Sequence, residues 1–425
     1  MENQNPNILK EVLEREITSG EQGKYIDVTF LMPKNIERVT VKIKVEALEN
    51  QENVIDLGVR DPYRVRGWSG GARREFFISE ERATPGYLSG ELWEGKWSVL
   101  LGAYKVGENG CRVRVEIELY EKHYRWLCGD LHLHSNHSDG SYSIEENIAY
   151  ANEKGLDFIA LTDHNTASQN LERPKNTKLT LIPGVELTTN LGHLNFLGVD
   201  DAVKDFRVNS DEELERKVAE ARSHNATIVL NHPYCSFTGW RWDWNFDYDL
   251  VEVWNGPWRE DNKKALDWWH EELVNGKKLI SIGGSDTHKI EKYRKHGMPT
   301  TWVYSDSNSV SDILSNIHKG RVVITYQKNA PFITIKCGDK MMGDVCNHSN
   351  EDTNLMFSSL KEKDIIKVYS DKGLVLEEEN EGETIKEYQI KNNNKKFLRA
   401  EVWRYIEPFK EPVLVSLSNP IFYSS

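Results

Sequence analysis

The 425-residue sequence predicts an α/β barrel held between two β domains. Three observations carry that expectation. Residues 24–124 are rich in β-branched runs separated by Gly and Pro turns, short apolar runs alternate with helical stretches from about Arg125 to Thr325, and β patterning returns after Thr325. Boundaries at 1–125, 126–325 and 326–425 follow, in a chain too long for one ordinary compact domain.

At the start, Ile8, Leu9, Val12, Leu13 and Ile17 share one helical face, so an amphipathic helix is expected to lead the N-terminal β domain. Strands are expected at 25–30, 39–45, 97–101 and 111–119, and a sandwich would bury their apolar sides. The barrel strands are expected at 126–133, 157–162, 178–186, 193–199, 227–231, 250–254, 279–284, 301–304 and 321–325. Two helix starts are legible, because Ser143-Ile144-Glu145-Glu146 and Ser210-Asp211-Glu212-Glu213 have the spacing in which serine and glutamate satisfy free amides reciprocally. In the small C-terminal β domain, 331–336 and 412–417 read as strands, and the charged stretch 361–396 reads as solvated hairpin faces.

A net charge of -13 and a pI near 5.6 argue against tight nonspecific binding to nucleic acid, which could enter only as a substrate. No apolar run approaches bilayer length, and Met1 to Pro6 lacks the basic start and apolar core of a secretory signal, so no membrane partner and a cytoplasmic location are expected. Cys111, Cys128, Cys235, Cys337 and Cys346 are odd in number, scattered and without a CxxC pair; all are expected to be reduced and mostly packed.

The chemistry is concentrated in a series of short motifs. In Gly129-Asp130-Leu131-His132-Leu133-His134, a strand would aim two imidazoles at one ion, because residues two apart share a face, and Asp139 follows in the loop. Further candidates close later apolar runs: Asp163-His164, Glu186, His232 and Asp286-Thr287-His288, with His193 opening another. Parallel α/β folds collect functional groups at such strand ends. The sum is six histidines (His132, His134, His164, His193, His232, His288) and three carboxylates (Asp139, Glu186, Asp286). One ion uses three or four protein groups, so nine imply two or three ions, with Glu186, central in the series, as the natural bridge. The chain has no GxSxG elbow, GxxxxGK[ST] loop or HExxH pair.

These motifs, GDLHLHSNHSDG, LTDHN, PGVE, GHLNFLG, NHP and GSDTH, resemble in residues and order those of the polymerase and histidinol phosphatase (PHP) superfamily. The preceding RVRGWSGGARREFFISEERATPGYLSGELWEGKWSVLLGAY resembles the β domain of the CehA/McbA group of metallohydrolases. The resemblance implies a distorted (β/α)7 barrel with a di- or trinuclear centre. It places His132, His134, Glu186 and Asp286 on one ion, Glu186, His193 and His232 on a second, and Asp139, His164 and His288 on a third; members may carry His where this chain has Asp139. A metal-dependent hydrolase using a metal-activated hydroxide is implied, with Glu186, Asp286 and His288 as catalytic candidates.

A phosphoester, as diester or monoester, is the expected small-molecule substrate, since divalent cations supply positive charge around the phosphoryl oxygens. Ligands of His and carboxylate without thiolate fit Mn²⁺, Fe²⁺ or Zn²⁺. The same centre would serve an amide or carbamate ester, and a non-catalytic binding module is a third reading. Asp163 is expected to orient a ligand imidazole. Trp240, Arg241 and Trp242, in the aromatic run after His232, are candidate substrate contacts or packing residues. Arg241, Arg259, Arg294 and His296 are candidate phosphate-binding cations that read first as surface groups, His137 reads as solvent-exposed, and the glycines of Gly283-Gly284-Ser285-Asp286 read as allowing close backbone approach.

Overall fold

Where a leading helix is expected, residues Ile8–Ile17 form a strand, β1, paired antiparallel along its whole length with Cys111–Glu121. The correction has a simple cause: Leu9, Leu13 and Ile17 are four apart, a spacing that keeps residues on one side of a helix and of a strand alike. Of the apolar residues that suggested the helix, only Ile17 is buried, so pairing rather than a greasy face holds the segment. The computed structural model describes residues 6–48, 52–174, 177–347, 352–392 and 394–424. Residues 1–5, part of the segment read for a leader, lie outside the described residues. The chain folds as two units, 1–125 with 174–177, and 126–173 with 178–425.

In the first unit, β1 is followed by β2 (Tyr25–Met32), β3 (Ile36–Ala47), β4 (Val54–Arg60), β5 (Val65–Gly70), β6 (Glu75–Ser79), β7 (Gly95–Lys105) and β8 (Cys111–Glu121). They make two four-stranded sheets, ordered β1-β8-β3-β6 and β2-β7-β4-β5. Strict alternation explains how: Ile26, Val28, Phe30 and Met32 of β2 and Val113, Val115, Ile117 and Leu119 of β8 turn inward to one shared core, while the residues between them face outward. The expected sandwich is thus present.

The second unit begins with β9 (Arg125–Leu133), α1 (Ile144–Lys154), β10 (Phe158–Leu161), α2 (Ser168–Glu172), β11 (Thr180–Thr189), β12 (Gly192–Leu197), α3 (Asp211–Ser223) and β13 (Thr227–Leu230). It continues through β14 (Leu250–Asn255), α4 (Glu260–Val274), β15 (Ile280–Gly284), β16 (Thr300–Ser305), α5 (Val310–His318) and β17 (Val322–Thr325). Each strand expected between residues 126 and 325 has its counterpart here. Their apolar runs are buried on both faces, as strands covered by helices require. Ser143 caps α1 with the full reciprocal box. Ser210 caps α3 by accepting the Glu213 amide, but Glu213 turns its carboxylate to the Asn209 amide instead.

Pairing runs β15-β14-β13-β12-β11-β10-β9-β16-β17. It is parallel among β9, β10 and β11 and among β13, β14 and β15, but antiparallel on both sides of β12. Only two residues separate β11 from β12, too few for the crossover that parallel strands need. Among the described residues no continuous ladder joins β15 back to β9 or β16; an isolated bridge, Leu133 to Thr287, crosses that seam with the bonds from the Asp286 amide to the His132 carbonyl and from the His134 amide to the Thr287 carbonyl. The shown architecture is therefore a mixed α/β sheet.

The remaining strands are β18 (Phe332–Cys337), β19 (Lys340–Met341), β20 (Val345–Cys346), β21 (Thr353–Ser358), β22 (Ile365–Ser370), β23 (Gly373–Glu379), β24 (Ile385–Ile390), β25 (Phe397–Arg404), β26 (Val413–Ser418) and β27 (Ile421–Tyr423). They share the second unit: β26 pairs with β17, so the long sheet continues through β26-β25-β22-β23. Cys337 and Cys346 form a disulfide, their Cα atoms 6.4 Å apart, which corrects the expectation of five reduced cysteines. Cys337 ends β18 and Cys346 ends β20, nine residues further on. Cys111 and Cys128 are buried and Cys235 is half-buried. Among the described residues no helix is long and apolar enough to cross a membrane.

Candidate metal centre

His132, the penultimate residue of β9, and His134, just beyond its end, are both buried and face the same carboxylates. His132 Nε2 lies 3.4 Å from Glu186 Oε1 and 3.6 Å from Asp286 Oδ1; His134 Nε2 lies 3.5 Å from Glu186 Oε2 and 3.1 Å from Asp286 Oδ1. Glu186 comes from β11 and His193 from the start of β12, so the tight hairpin sets His193 Nδ1 3.1 Å from Glu186 Oε1. His164, following β10, puts Nδ1 2.8 Å from Glu186 Oε2, and His232, following β13, puts Nε2 3.5 Å from Oε1. Asp139 and His288 form the more open side, with His288 Nε2 3.2 Å from Asp139 Oδ1 and 3.3 Å from His164 Nε2.

All nine candidates thus meet in one cluster. Their donor atoms fall into four overlapping groups, each within 4.8 Å: His132, His134 and Asp286; His132, Glu186 and His232; His164, Glu186 and His193; and His134, Asp139, His164 and His288. Two ligands at about 2.0–2.2 Å from one ion span about 4 Å, so this spacing suits cations shared among the groups. The grouping differs from the implied assignment: four groups stand in place of three, Glu186 is absent from the group of His132, His134 and Asp286, His232 sits with His132 and His193 with His164, and His134 joins the open group.

Several features fit the cluster to divalent cations. His132 Nε2, both ring nitrogens of His134, Glu186 Oε2 and His232 Nδ1 are buried and make no well-directed hydrogen bond, although His164 Nδ1 comes within 2.8 Å of Glu186 Oε2 and Asp286 Oδ1 within 3.1 Å of His134 Nε2, an arrangement that is costly unless something else satisfies them. Burial opposes ionising Glu186, yet His132 and His193 outweigh it and hold its carboxyl well below the usual range. Asp286 behaves alike, burial being overcome by His132, His134 and His232. His132 and Asp286 are also held by backbone geometry: the Asp286 amide donates to the His132 carbonyl at 2.8 Å, and both His232 (φ 27°) and Asp286 (φ 50°) adopt left-handed conformations that L-residues avoid. Strain kept at two ligand positions points to a site whose shape matters.

A tenth group escaped the sequence motifs. Glu252, inside β14 and 1% exposed, accepts from His132 Nδ1 at 3.0 Å. The only signal was a carboxylate in the middle of an apolar strand, Leu250-Val251-Glu252-Val253, where charge is expensive unless paired. Asn231 donates to Glu186 Oε1 at 2.8 Å, and Asn255 to Asp286 Oδ2 at 3.3 Å. Gly284 explains the glycine pair before Ser285: a Cβ there would lie 2.4 Å from His132 Cβ and 2.5 Å from Glu252 Oε1.

Other expectations change. Asp163 orients no imidazole: its carboxylate accepts from the Ser135 amide (2.8 Å) and from the Ser135 (2.8 Å) and Ser138 (2.7 Å) hydroxyls, tying down the loop between His134 and Asp139. His296 is 1% exposed, its Nε2 donating to Asn147 Oδ1 at 2.7 Å, and burial pushes its pKa down to about 4. The expectation of a surface group at His296 is therefore corrected. His137 is half-buried against Ser168 Oγ at 2.7 Å. Arg294 is partly buried, with Nη1 2.6 Å from the Asp286 carbonyl oxygen and 3.5 Å from Oδ2. Arg259 is half-buried and donates to Asn255 Oδ1 at 3.2 Å.

Trp240 and Trp242 are buried over the β11–β12 turn: Trp242 Nε1 donates to Thr189 Oγ1 at 2.9 Å, and Gly192 (φ 136°) leaves no room for a Cβ beneath Trp240. Arg241 is exposed and anchored through its amide to the Leu191 carbonyl. An open groove of about 600 Å³ lies elsewhere in this unit, lined by Trp258, Tyr369, Arg399 and Trp403 among others, and contains none of the nine donors.

Fold and site together define a mixed α/β protein with a cluster of nine candidate metal ligands. The PHP domain profile matches residues 130–239, which carry His132 through His232. An uncharacterized protein of Methanocaldococcus jannaschii is 30% identical over 147 residues, 31% of this chain and 83% of the relative. The chain belongs to the PHP superfamily. Among solved structures, a two-domain protein from Bacteroides vulgatus containing a predicted PHP-like metal-dependent phosphoesterase is 18% identical, with a TM-score of 0.42 over 69% of this chain and 95% of that one. A candidate metal-dependent phosphoesterase from Bifidobacterium adolescentis is 16% identical, with a TM-score of 0.31 over 44% of this chain and 95% of that one.

Proposed function

We propose that the protein is a phosphoesterase working through two or three divalent cations, Mn²⁺, Fe²⁺ or Zn²⁺, held by His132, His134, Asp139, His164, Glu186, His193, His232, Asp286 and His288. The observation that carries this reading is the convergence of these nine donors, several of whose buried nitrogens and oxygens make no well-directed hydrogen bond. When bound, such cations acidify a shared water and stabilise charge on the oxygens of a displacement at phosphorus.

The chain's own groups then divide the work. Glu186, in reach of five imidazoles, is placed so that its carboxylate would be shared between cations. Asp286, whose Oδ1 faces the imidazoles of His132 and His134, would hold a cation there and help to orient a water bound beside it. His288 has Nδ1 tied to the Asp286 carbonyl at 3.1 Å, which turns Nε2 toward the open side where the leaving oxygen departs. Arg294 beside Asp286 adds positive charge that favours an anionic phosphoester over a neutral amide or carbamate ester. Trp240 and Trp242 support the hairpin that carries His193, and Arg241 faces solvent beside them as a candidate substrate contact.

We read the mixed sheet as the distorted (β/α)7 barrel, spanning 126–325, which the strand order and the Leu133–Thr287 bridge support, and the chain as a member of the CehA/McbA group, which the β sandwich before the PHP segment supports. The test is hydrolysis of bis(p-nitrophenyl) phosphate, p-nitrophenyl phosphate and a p-nitroanilide by Mn²⁺-loaded protein. Turnover of a phosphate compound supports the reading. Bound metal with turnover of the anilide alone, or of none, overturns it.

A further inference from the structure

Glu252 joins three ligand-bearing segments that are far apart in sequence. Its Oε1 accepts from the side chain of His132 at 3.0 Å, and its Oε2 accepts from the backbone amide of His232 and from Asn255 Nδ2, each at 3.1 Å. That same Asn255 nitrogen reaches Asp286 Oδ2 at 3.3 Å. An imidazole that donates through Nδ1 keeps the lone pair on Nε2. His132 Nε2, 3.4 Å from Glu186, is therefore presented ready to bind a cation, and it has no hydrogen-bond partner of its own. Gly284 clears the space in which the His132–Glu252 contact forms. Among the described residues no hydrogen bond or ion pair links Glu252 to Asp139, His164 or His288.

We propose that Glu252 is a positioning residue that locks His132, His232 and Asp286 into one arrangement, so that cations held through His132 depend on it while the cation held by Asp139, His164 and His288 does not. The inference rests on the metal-centre reading above. It makes Glu252 responsible for unequal affinities among chemically similar donor groups, which the ligands alone would not impose.

The decisive variant is Glu252→Gln. It keeps the size of the side chain and an oxygen for His132, but sets an amide NH₂ against the His232 amide and Asn255, two donors that need an acceptor. Full-length protein is stripped with chelator and titrated with Mn²⁺, following bound metal by elemental analysis and calorimetry. In the variant, part of the wild-type complement is expected to bind about 10- to 100-fold more weakly, the usual effect of losing a hydrogen-bond partner behind a metal ligand. The rest should bind as before, splitting the titration into two phases. Glu252→Ala should show the same split with a larger loss; if it fails to fold, the isosteric Gln variant still decides. Wild-type affinity in the Gln variant, or a uniform loss across all ions, overturns the proposal. A wild-type chain that takes up no cation overturns the metal-centre reading as well, which separates the two failures.

Discussion

Gly284→Ala adds one methyl group at the most crowded point of the centre. The new Cβ would sit 2.4 Å from His132 Cβ, 2.5 Å from Glu252 Oε1 and 3.3 Å from the His132 amide nitrogen. Carbon atoms pack comfortably at about 3.5–4.0 Å, so a displacement of about 1 Å is required. His132 Cβ is fixed to β9, whose inner residues are buried, and Glu252 is 1% exposed within β14, so neither can swing into solvent. Overpacking of this kind costs about 1–3 kcal/mol. Urea unfolding of metal-free protein should register that loss as a lower midpoint with an unchanged slope. Mn²⁺ titration should also show affinity reduced by about 10-fold or more, because the His132–Glu252 contact is what the methyl disrupts. Gly276→Ala supplies the comparison: Gly276 has open space around it but φ 96°, so it should lose about 1 kcal/mol and keep its metal affinity. Equal stability and equal metal binding for Gly284→Ala and wild type would refute the reasoning.

Glu186→Ala removes the carboxylate facing His132, His134, His164, His193 and His232, and elemental analysis should find most bound metal lost; retention of the full complement would exclude Glu186 as the bridge. His296, with a pKa near 4 when folded, should make the protein acid-sensitive. The unfolded chain, titrating near 6.5, takes up the proton first, so stability is full above about pH 6.5 and falls until about pH 4, a loss of about 2 kcal/mol by pH 5. His296→Gln keeps a donor for Asn147 without titrating, and its urea midpoint should drop less than that of wild type between pH 7 and pH 5; equal drops would show that His296 is not the sensor. Alkylation of unfolded, non-reduced protein should label three cysteines, Cys111, Cys128 and Cys235, and reduction should expose Cys337 and Cys346; labelling of all five without reductant would contradict the disulfide.

What the sequence disclosed follows from how far each signal reaches along the chain. Runs such as Phe158–Leu161 and Thr227–Leu230 are buried on both faces, and their unbroken apolar character marks them without any knowledge of neighbours. The nine donors were legible because all but Asp139, which lies in the loop after His134, stand at or just beyond the ends of such runs. Misreadings arise where a partner distant in sequence decides the outcome. Residues Ile8–Ile17 satisfy two periodicities, and only the ladder with β8 selects the strand. The antiparallel return at β12 depends on a two-residue turn that no apolar pattern records. Glu252 belongs to no motif; its role appears only when β14 is set against β9. His296 was hidden by the charged residues beside it, although its own ring points inward to Asn147.

The central claim, that these nine side chains form a centre for divalent cations, is tested most directly by anomalous diffraction from crystals of the full chain soaked in Mn²⁺. The account predicts two or three anomalous peaks within bonding distance of His132, His134, Asp139, His164, Glu186, His193, His232, Asp286 and His288, one pair of them sharing Glu186. Crystals saturated with Mn²⁺ that show no peak among these residues would contradict it.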